Sequence, residues 1–172
     1  MPDQQPTVAR TLLKKGQPET DTWALSRDTE ALPETRPAIV PLALWLEAEA
    51  DSALAPWLPS DTALDGELAE KLASAPRIAI NFPAFTDGRG YTLARMLRER
   101  FGYQGEIRAI GDVLVDQLYY MSRCGFDALA LRDDQLLEDA QRALGAFSVS
   151  YQPGVDTHEA LFERRLREGN HS

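Results

Sequence analysis

Apolar residues in this chain fall into short runs separated by amphipathic stretches, and from Arg77 onward the alternation is regular. The run at 78–82, IAINF, predicts a buried strand. A helix is expected over 91–101, with Leu93, Met96, Leu97 and Phe101 on one face and Gly102 as its C-cap. A second strand is expected at 106–110, followed by a helix over 113–123 whose apolar face carries Val113, Leu114, Leu118 and Met121. Gly125 is placed to cap that helix, with Phe126 making the accompanying apolar contact. A third strand at 128–131 leads to a helix over 133–144, which Gly145 is expected to end. A fourth strand at 147–151 and a terminal helix at 157–168 complete the pattern.

Before Arg77 the pattern is looser. Residues 1–9 are polar with two prolines and read as disordered. Strands at 11–13 and 22–25, separated by Gly16-Gln17-Pro18, suggest a hairpin or an antiparallel edge. A proline-containing linker over 28–37 precedes a strand at 38–42, a helix at 42–54, a short strand at 57–59 and a helix from 60 to 75 with Leu64, Leu68 and Leu72 every four residues. The expected fold is α/β: a mainly parallel sheet of repeated βα units, helices on both faces, and a short N-terminal β extension. A partial βα barrel produces the same pattern and stays open as the alternative. The organisation is a single domain over 10–168, with 169–172 as a tail.

The chain has 172 residues, 44% hydrophobic and 26% charged, enough for one core without disulfides or a structural metal. Cys124 is the single cysteine, which excludes an intrachain disulfide and a cluster held by this chain's own thiolates. It reads as buried packing. Neither a signal-peptide core nor a membrane-length apolar run is present, so the protein is expected to be soluble and cytoplasmic. The formal charge of −9 argues against nonspecific nucleic-acid or anionic-membrane binding. Residues 77–132 stand apart, with eight arginines against six acidic side chains. Those arginines read either as a solvated helix face or as groups serving an anionic ligand or partner.

In parallel α/β folds ligands bind at the carboxyl ends of the strands. That rule selects Thr86, Asp87, Gly88, Arg89 and Gly90 after the 78–82 strand, Gly111 and Asp112 after the next, Arg132 and Asp133 after the third, and Tyr151 and Gln152 after the fourth. Glycines in the first turn allow positive φ and close backbone approach, so its N–H groups can form an anion-holding concavity. Arg89 adds a bidentate fork and Asp87 a capping acceptor. The ligand-binding candidates are therefore Thr86, Asp87, Gly88, Arg89, Gly90, Gly111, Asp112 and Arg132. Asp112 facing Asp87 would make an acid/base or Mg²⁺ pair, but nothing fixes their separation and no metal site is assigned. Asp116 and Gln117, at the start of the next helix, point either to this rim or to solvent. The turn is neither a Walker loop nor a dinucleotide fingerprint, so no cofactor is indicated. His158 and His171 lie far from the rim, which argues against His-dependent catalysis and a zinc site.

The segment FTDGRGYTLARMLRERFGYQGEIRAIGDVLVDQLYYMSRCGFDALALR, with IVPLALWL, RIAINFPAF and Asp21-Thr22-Trp23 upstream, resembles a bacterial family catalogued as domain of unknown function 934, over roughly residues 10 to 152. The stretch at 55–60 is proline-interrupted where relatives run a cleaner strand. Members of that family are often labelled oxidoreductases, and their genes commonly neighbour those for assimilatory sulfite reductase. The resemblance implies an accessory role in sulfite reduction, with the reductase or its electron donor as partner. The alternative is an enzyme or sensor binding a small phosphate- or sulfate-type anion at the strand rim. The residues themselves show no dinucleotide fingerprint, no CxxC and no cluster ligand set to match the oxidoreductase label.

Overall fold

The computed structural model describes residues 10–148, which form one eight-stranded sheet with five helices. A hairpin comes first, β1 (Arg10–Lys14) and β2 (Gln17–Asp21), then β3 (Ala24–Leu25), β4 (Ala38–Pro41), α1 (Leu42–Glu47) and β5 (Leu54–Leu58). There follow α2 (Gly66–Leu72), β6 (Arg77–Phe82), α3 (Arg89–Arg95), β7 (Glu106–Gly111), α4 (Leu118–Cys124), β8 (Ala128–Leu129) and α5 (Leu137–Ser148). The strand order is β2-β1-β8-β7-β6-β5-β4-β3. From β3 to β8 neighbouring strands are parallel, whereas β1 is antiparallel to both β2 and β8, so the sheet is mixed rather than purely parallel.

The two strands at opposite edges of this sheet, β2 and β3, are joined by only Thr22 and Trp23. Seven strand spacings of about 4.8 Å would hold the edges of a flat sheet about 34 Å apart. Three Cα steps reach at most about 11 Å. The sheet must therefore curl, and it does so as a half-barrel. The parallel strands also run in sequence order. Right-handed crossovers then place every helix on the same, convex face.

Side-chain alternation agrees. Leu58, Ile78, Ile80, Phe82, Ile107, Ala109 and Leu129 face the helices and pack with Leu72, Leu93, Leu97, Leu118, Met121, Ala140 and Leu144. Ile39, Ala55, Ala79 and Ile110 face the other way into a smaller cluster with Trp23, Leu25, Trp57 and Ala130, to which no helix contributes. The expectation of helices on both faces is therefore corrected. The concave face is covered by the sheet's own curvature and by the β2–β3 segment, which carries Trp23 inward.

A buried charge network closes the concave face. Arg108 on β7 donates to Asp21 on β2 (2.8 Å) and pairs with Glu106 (3.0 Å); both arginine and aspartate side chains are almost wholly buried. Glu106 also meets Arg77 at 3.1 Å and Lys14 at 3.2 Å. Trp23 stacks its ring 4.2 Å from the Arg77 guanidinium and donates its backbone N–H to Asp21. Strands β2 and β7 would be about 14 Å apart in a flat sheet, so this contact exists because the sheet is rolled. On the opposite side the Trp57 indole N–H donates to the Ser26 carbonyl (2.9 Å).

Local chemistry explains where elements depart from expectation. The helix expected over 42–54 ends at Glu47, because the Asp51 carboxylate accepts the Ala53 N–H (2.8 Å) and turns the chain into β5. β5 then begins at Leu54, with Pro56 where pairing to β6 has not yet started. The helix expected from 60 to 75 is shorter, α2 starting at Gly66, where Asp65 caps it by accepting the Leu68 N–H (2.8 Å). The helix expected over 91–101 starts two residues earlier and finishes as a π-helical turn over Met96–Arg100. Gly102 and Gly125 adopt φ of +67° and +114° as the C-caps require. The Phe126 N–H reaches back to Met121 and the Gly125 N–H to Ser122, the two bonds of a Schellman cap. Before α4 the chain takes a 3-10 turn over Val115–Gln117.

Gly145 does not end α5, which runs on to Ser148, so the strand expected from Phe147 does not form there. A glycine inside a helix costs only about 1 kcal/mol, and Ala140, Leu144 and Phe147 keep helical spacing. The rest of that strand, with Tyr151 and Gln152, the helix expected over 157–168, both histidines and residues 1–9 lie outside the described residues.

Arg98, like Arg77 and Arg108 of the same 77–132 segment, belongs to neither a solvated face nor an anion site. Arg98 donates to the carbonyls of Tyr103 (2.8 Å), Gly105 (2.7 Å) and Gly125 (3.0 and 3.1 Å) and pairs with Asp127. It locks the end of α3 to the turns before β7 and β8.

The buried network yields a stability prediction. Arg108→Met leaves Asp21 and Glu106 buried without their shared cation and is expected to cost about 3–5 kcal/mol, read as a shift in urea midpoint. Burial pushes the Glu106 carboxyl up, but Arg108, Arg77 and Lys14 outweigh it and hold it below its usual value. A depressed folded pKa contributes stability above the unfolded value of 4.5 and loses it as pH falls through the folded value. Glu106→Gln should therefore lower stability at neutral pH and flatten its decline below pH 4.5 in urea titrations.

Candidate functional site

The carboxyl ends of β5, β6, β7 and β8 form one rim, and the residues singled out from the sequence gather on it in two groups. The first is built around Asp87, in the loop from β6 to α3. Its carboxylate accepts the Arg89 backbone N–H (3.0 Å), the Arg89 side chain at 3.0 and 2.8 Å, and the Ser60 hydroxyl at 2.6 Å. The Arg89 fork, followed by the Ser60 hydroxyl, holds the Asp87 carboxyl far below the usual carboxylate range. Arg89 is 62% exposed, yet the Nε–Nη2 edge of its guanidinium is closed on Asp87.

The glycines here do other work than the sequence suggested. Gly88 has φ −73°, an ordinary helical value that any residue adopts. Gly90 lies inside α3, where an added Cβ would come within 2.6 Å of the Phe82 ring; it is small so that α3 can sit on β6. The N–H groups of this turn are therefore not folded into a positive-φ nest, and the first of them is already accepted by Asp87. Thr86 is exposed.

The second group surrounds Gly111, at the end of β7. Gly111 adopts φ +90°, and a Cβ there would lie 2.4 Å from the Phe82 carbonyl oxygen and 2.7 Å from Asn81 Oδ1. The Asp112 N–H donates to that same carbonyl (2.8 Å), so β6 and β7 stay paired to their last residues. Arg132, after β8, grips Asp134 through Nε and Nη2 (2.7 and 2.8 Å), while its Nη1 stands 3.6 Å from Asp112. Arg132 pushes the Asp134 carboxyl down to about 2.

The rim loops are stitched together by side-chain amides. Gln117 Nε2 donates to the Phe85 carbonyl, and Gln135 Oε1 accepts the Val115 N–H at 3.0 Å. Gln117 thus points to the rim, while Asp116 is exposed. Asp87 and Asp112 each turn to their own arginine instead of forming a pair. Among the described residues no three His, Cys, Asp or Glu side chains converge to hold a metal ion. Cys124 is fully buried.

Beside the second group lies a cavity of about 140 Å³ at the mouth of the concave face. Leu25, Ile110 and Ala130 line its apolar part, and Arg27, Gly111, Arg132 and Asp133 its polar part. Sequence reasoning found Gly111, Arg132 and Asp133 but missed Arg27 and Ser60. Both come from segments before the regular pattern, and only the curl of the sheet brings Arg27 over.

If Asp87 organises the first loop, Ser60→Ala and Asp87→Asn should speed amide hydrogen exchange at Arg89 and in the 83–88 loop, with the β6 core unaffected. For the second group, Arg132→Ala should raise the Asp134 midpoint from about 2 toward 3.8, measured by NMR titration of the carboxyl carbon.

The family described as bacterial protein of unknown function (DUF934) matches residues 55–162, from β5 past the end of α5. No curated protein and no solved structure matches the chain. Among the described residues no helix is long and apolar enough to cross a membrane. Covering well over half of the chain, the match shows that it belongs to the bacterial DUF934 family.

Proposed function

We propose that this protein is a cytoplasmic docking partner in sulfur assimilation that presents an acidic face to a cationic surface of a larger protein. The observation that carries this reading is the distribution of charge. Between Arg27 and Lys71 the chain has ten acidic side chains and one basic one, Arg36, a net −9 that equals the formal charge of the whole molecule. All ten are exposed, on the linker before β4, on α1 and α2 and in the turns around β5, so they share the β3–β5 end of the sheet. Two ion pairs relieve them, Arg36–Asp51 at 3.2 Å and Lys71–Glu67 at 3.8 Å. The remaining repulsion is unfavourable for the isolated fold and becomes favourable against a basic surface, which it also steers into encounter.

The family resemblance names assimilatory sulfite reductase or its electron donor as the partner to test. At micromolar concentrations and low salt the two proteins are expected to co-sediment, with affinity falling as salt rises. Replacing Glu47, Glu49, Glu67 and Glu70 by glutamine should weaken binding by about tenfold or more by removing exposed charge from one face. Absence of association at low salt, or association indifferent to both salt and these substitutions, would overturn the reading.

A further inference from the structure

Five of the six residues of α1, Leu42-Ala43-Leu44-Trp45-Leu46-Glu47, are apolar, yet none of the six is buried. A helix that is apolar all round is ordinarily found inside a protein. Each of the other four helices, with less apolar sequences, buries at least one residue. The topology supplies the reason. α1 crosses from β4 to β5 and is the last helix of its row, because the chain between β3 and β4 forms no helix. Leu42 and Trp45 pack inward, and Leu32 from that linker joins Trp45 and Ala48 against Ala38, Val40 and Leu54. Leu46, 41% exposed, and the exposed Ala43 remain on the open flank, one helical turn apart.

The charge around this helix selects what can cover it. Glu47 lies on α1 itself, Glu49 and Asp51 follow it, and Glu30 and Glu34 lie either side of Leu32 in the linker; all five are exposed. Arg36, the basic residue among them, is paired with Asp51 at 3.2 Å. A second copy of this chain would bring the same carboxylates against their duplicates, and an anionic membrane would meet the same repulsion. An apolar centre with a charged margin is the anatomy of a protein interface.

We propose that α1 is the apolar anchor of the acidic docking face and that it receives a basic amphipathic segment, apolar where it meets Leu46 and cationic along its margins. This rests on the docking reading above and adds the contact that fixes where on the acidic end the partner sits. Carboxylates steer the encounter, whereas burial of Leu46 and Ala43 slows release.

The test is amide NMR of the full-length chain titrated with two synthetic peptides of equal length and charge. One is a helix with leucine along one face and lysine along the other; the control has serine in place of every leucine. Saturable shifts are expected at residues 42–49, with the leucine peptide binding about tenfold more tightly than the control. Leu46→Ser should remove that advantage and leave the dependence on salt unchanged, since no charge is altered. Ala43→Lys, which sets a cation against the peptide's own, should also weaken binding and serves if Leu46→Ser fails to fold. Equal binding of the two peptides, shifts away from α1, or folded variants that bind like the wild type would overturn the anchor. Shifts at 42–49 that grow with protein concentration in the absence of peptide would assign a second copy and overturn it as well. Peptide binding at α1 without association with the reductase overturns the choice of partner alone. Salt-dependent association with the reductase that ignores Leu46→Ser overturns the anchor alone.

Discussion

Two residues, Thr22 and Trp23, join the opposite edges of an eight-stranded sheet, and the rest of the architecture follows from that short reach. A sheet so constrained has to roll, and rolling turns its inner face into an interior. The inner positions then need groups that fit a narrow, curved space. Ala55 and Ala79 are small, Trp23 and Trp57 are flat, and Arg108 spans from β7 to Asp21 on β2. Asp21 ends the very strand that the two-residue link leaves. The ion pair and the link therefore constrain the same point of the chain, one electrostatically and one covalently.

The same curvature shapes the rim. Neighbouring βα loops are drawn close enough for side chains to bridge each one to the next: Ser60 to Asp87, Gln117 to the Phe85 carbonyl, Arg132 to Asp112, and Gln135 to the Val115 N–H. Arginine and aspartate adjacent in sequence read equally well as a ligand clamp and as a self-contained pair. In space Arg89 and Asp87 satisfy each other. Arg132, which borders a cavity, is held between Asp134 and Asp112.

Charge is partitioned along the fold as well. The β3–β5 end carries an excess of exposed carboxylates, whereas three arginines from Arg77 onward, Arg77, Arg98 and Arg108, are spent inside the structure. Arg98 binds three carbonyls, Arg108 two carboxylates, and Arg77 stacks on Trp23 while meeting Glu106. Part of the arginine content of the middle segment reflects internal bonding, and the acidic excess before it is left facing solvent.

How much of this was legible in the chain differs by level. The apolar runs at 78–82 and 106–110, the caps at Gly102 and Gly125 with Phe126, and the rim positions of Asp87, Gly111 and Arg132 follow from local periodicity, backbone conformation and turn chemistry, so the linear order of residues determines them. Element ends were less legible where a side chain beyond the periodic pattern decided them, as Asp51 and Asp65 do for α1 and α2. Open sheet or barrel, helices on one face or two, Arg27 beside Gly111, and Arg89 turned to Asp87 were decided only in the tertiary structure. Each depends on how far apart two segments lie once the sheet rolls. Periodicity carries no measure of that distance; the two-residue link between edge strands does, but only once their places in the sheet are known.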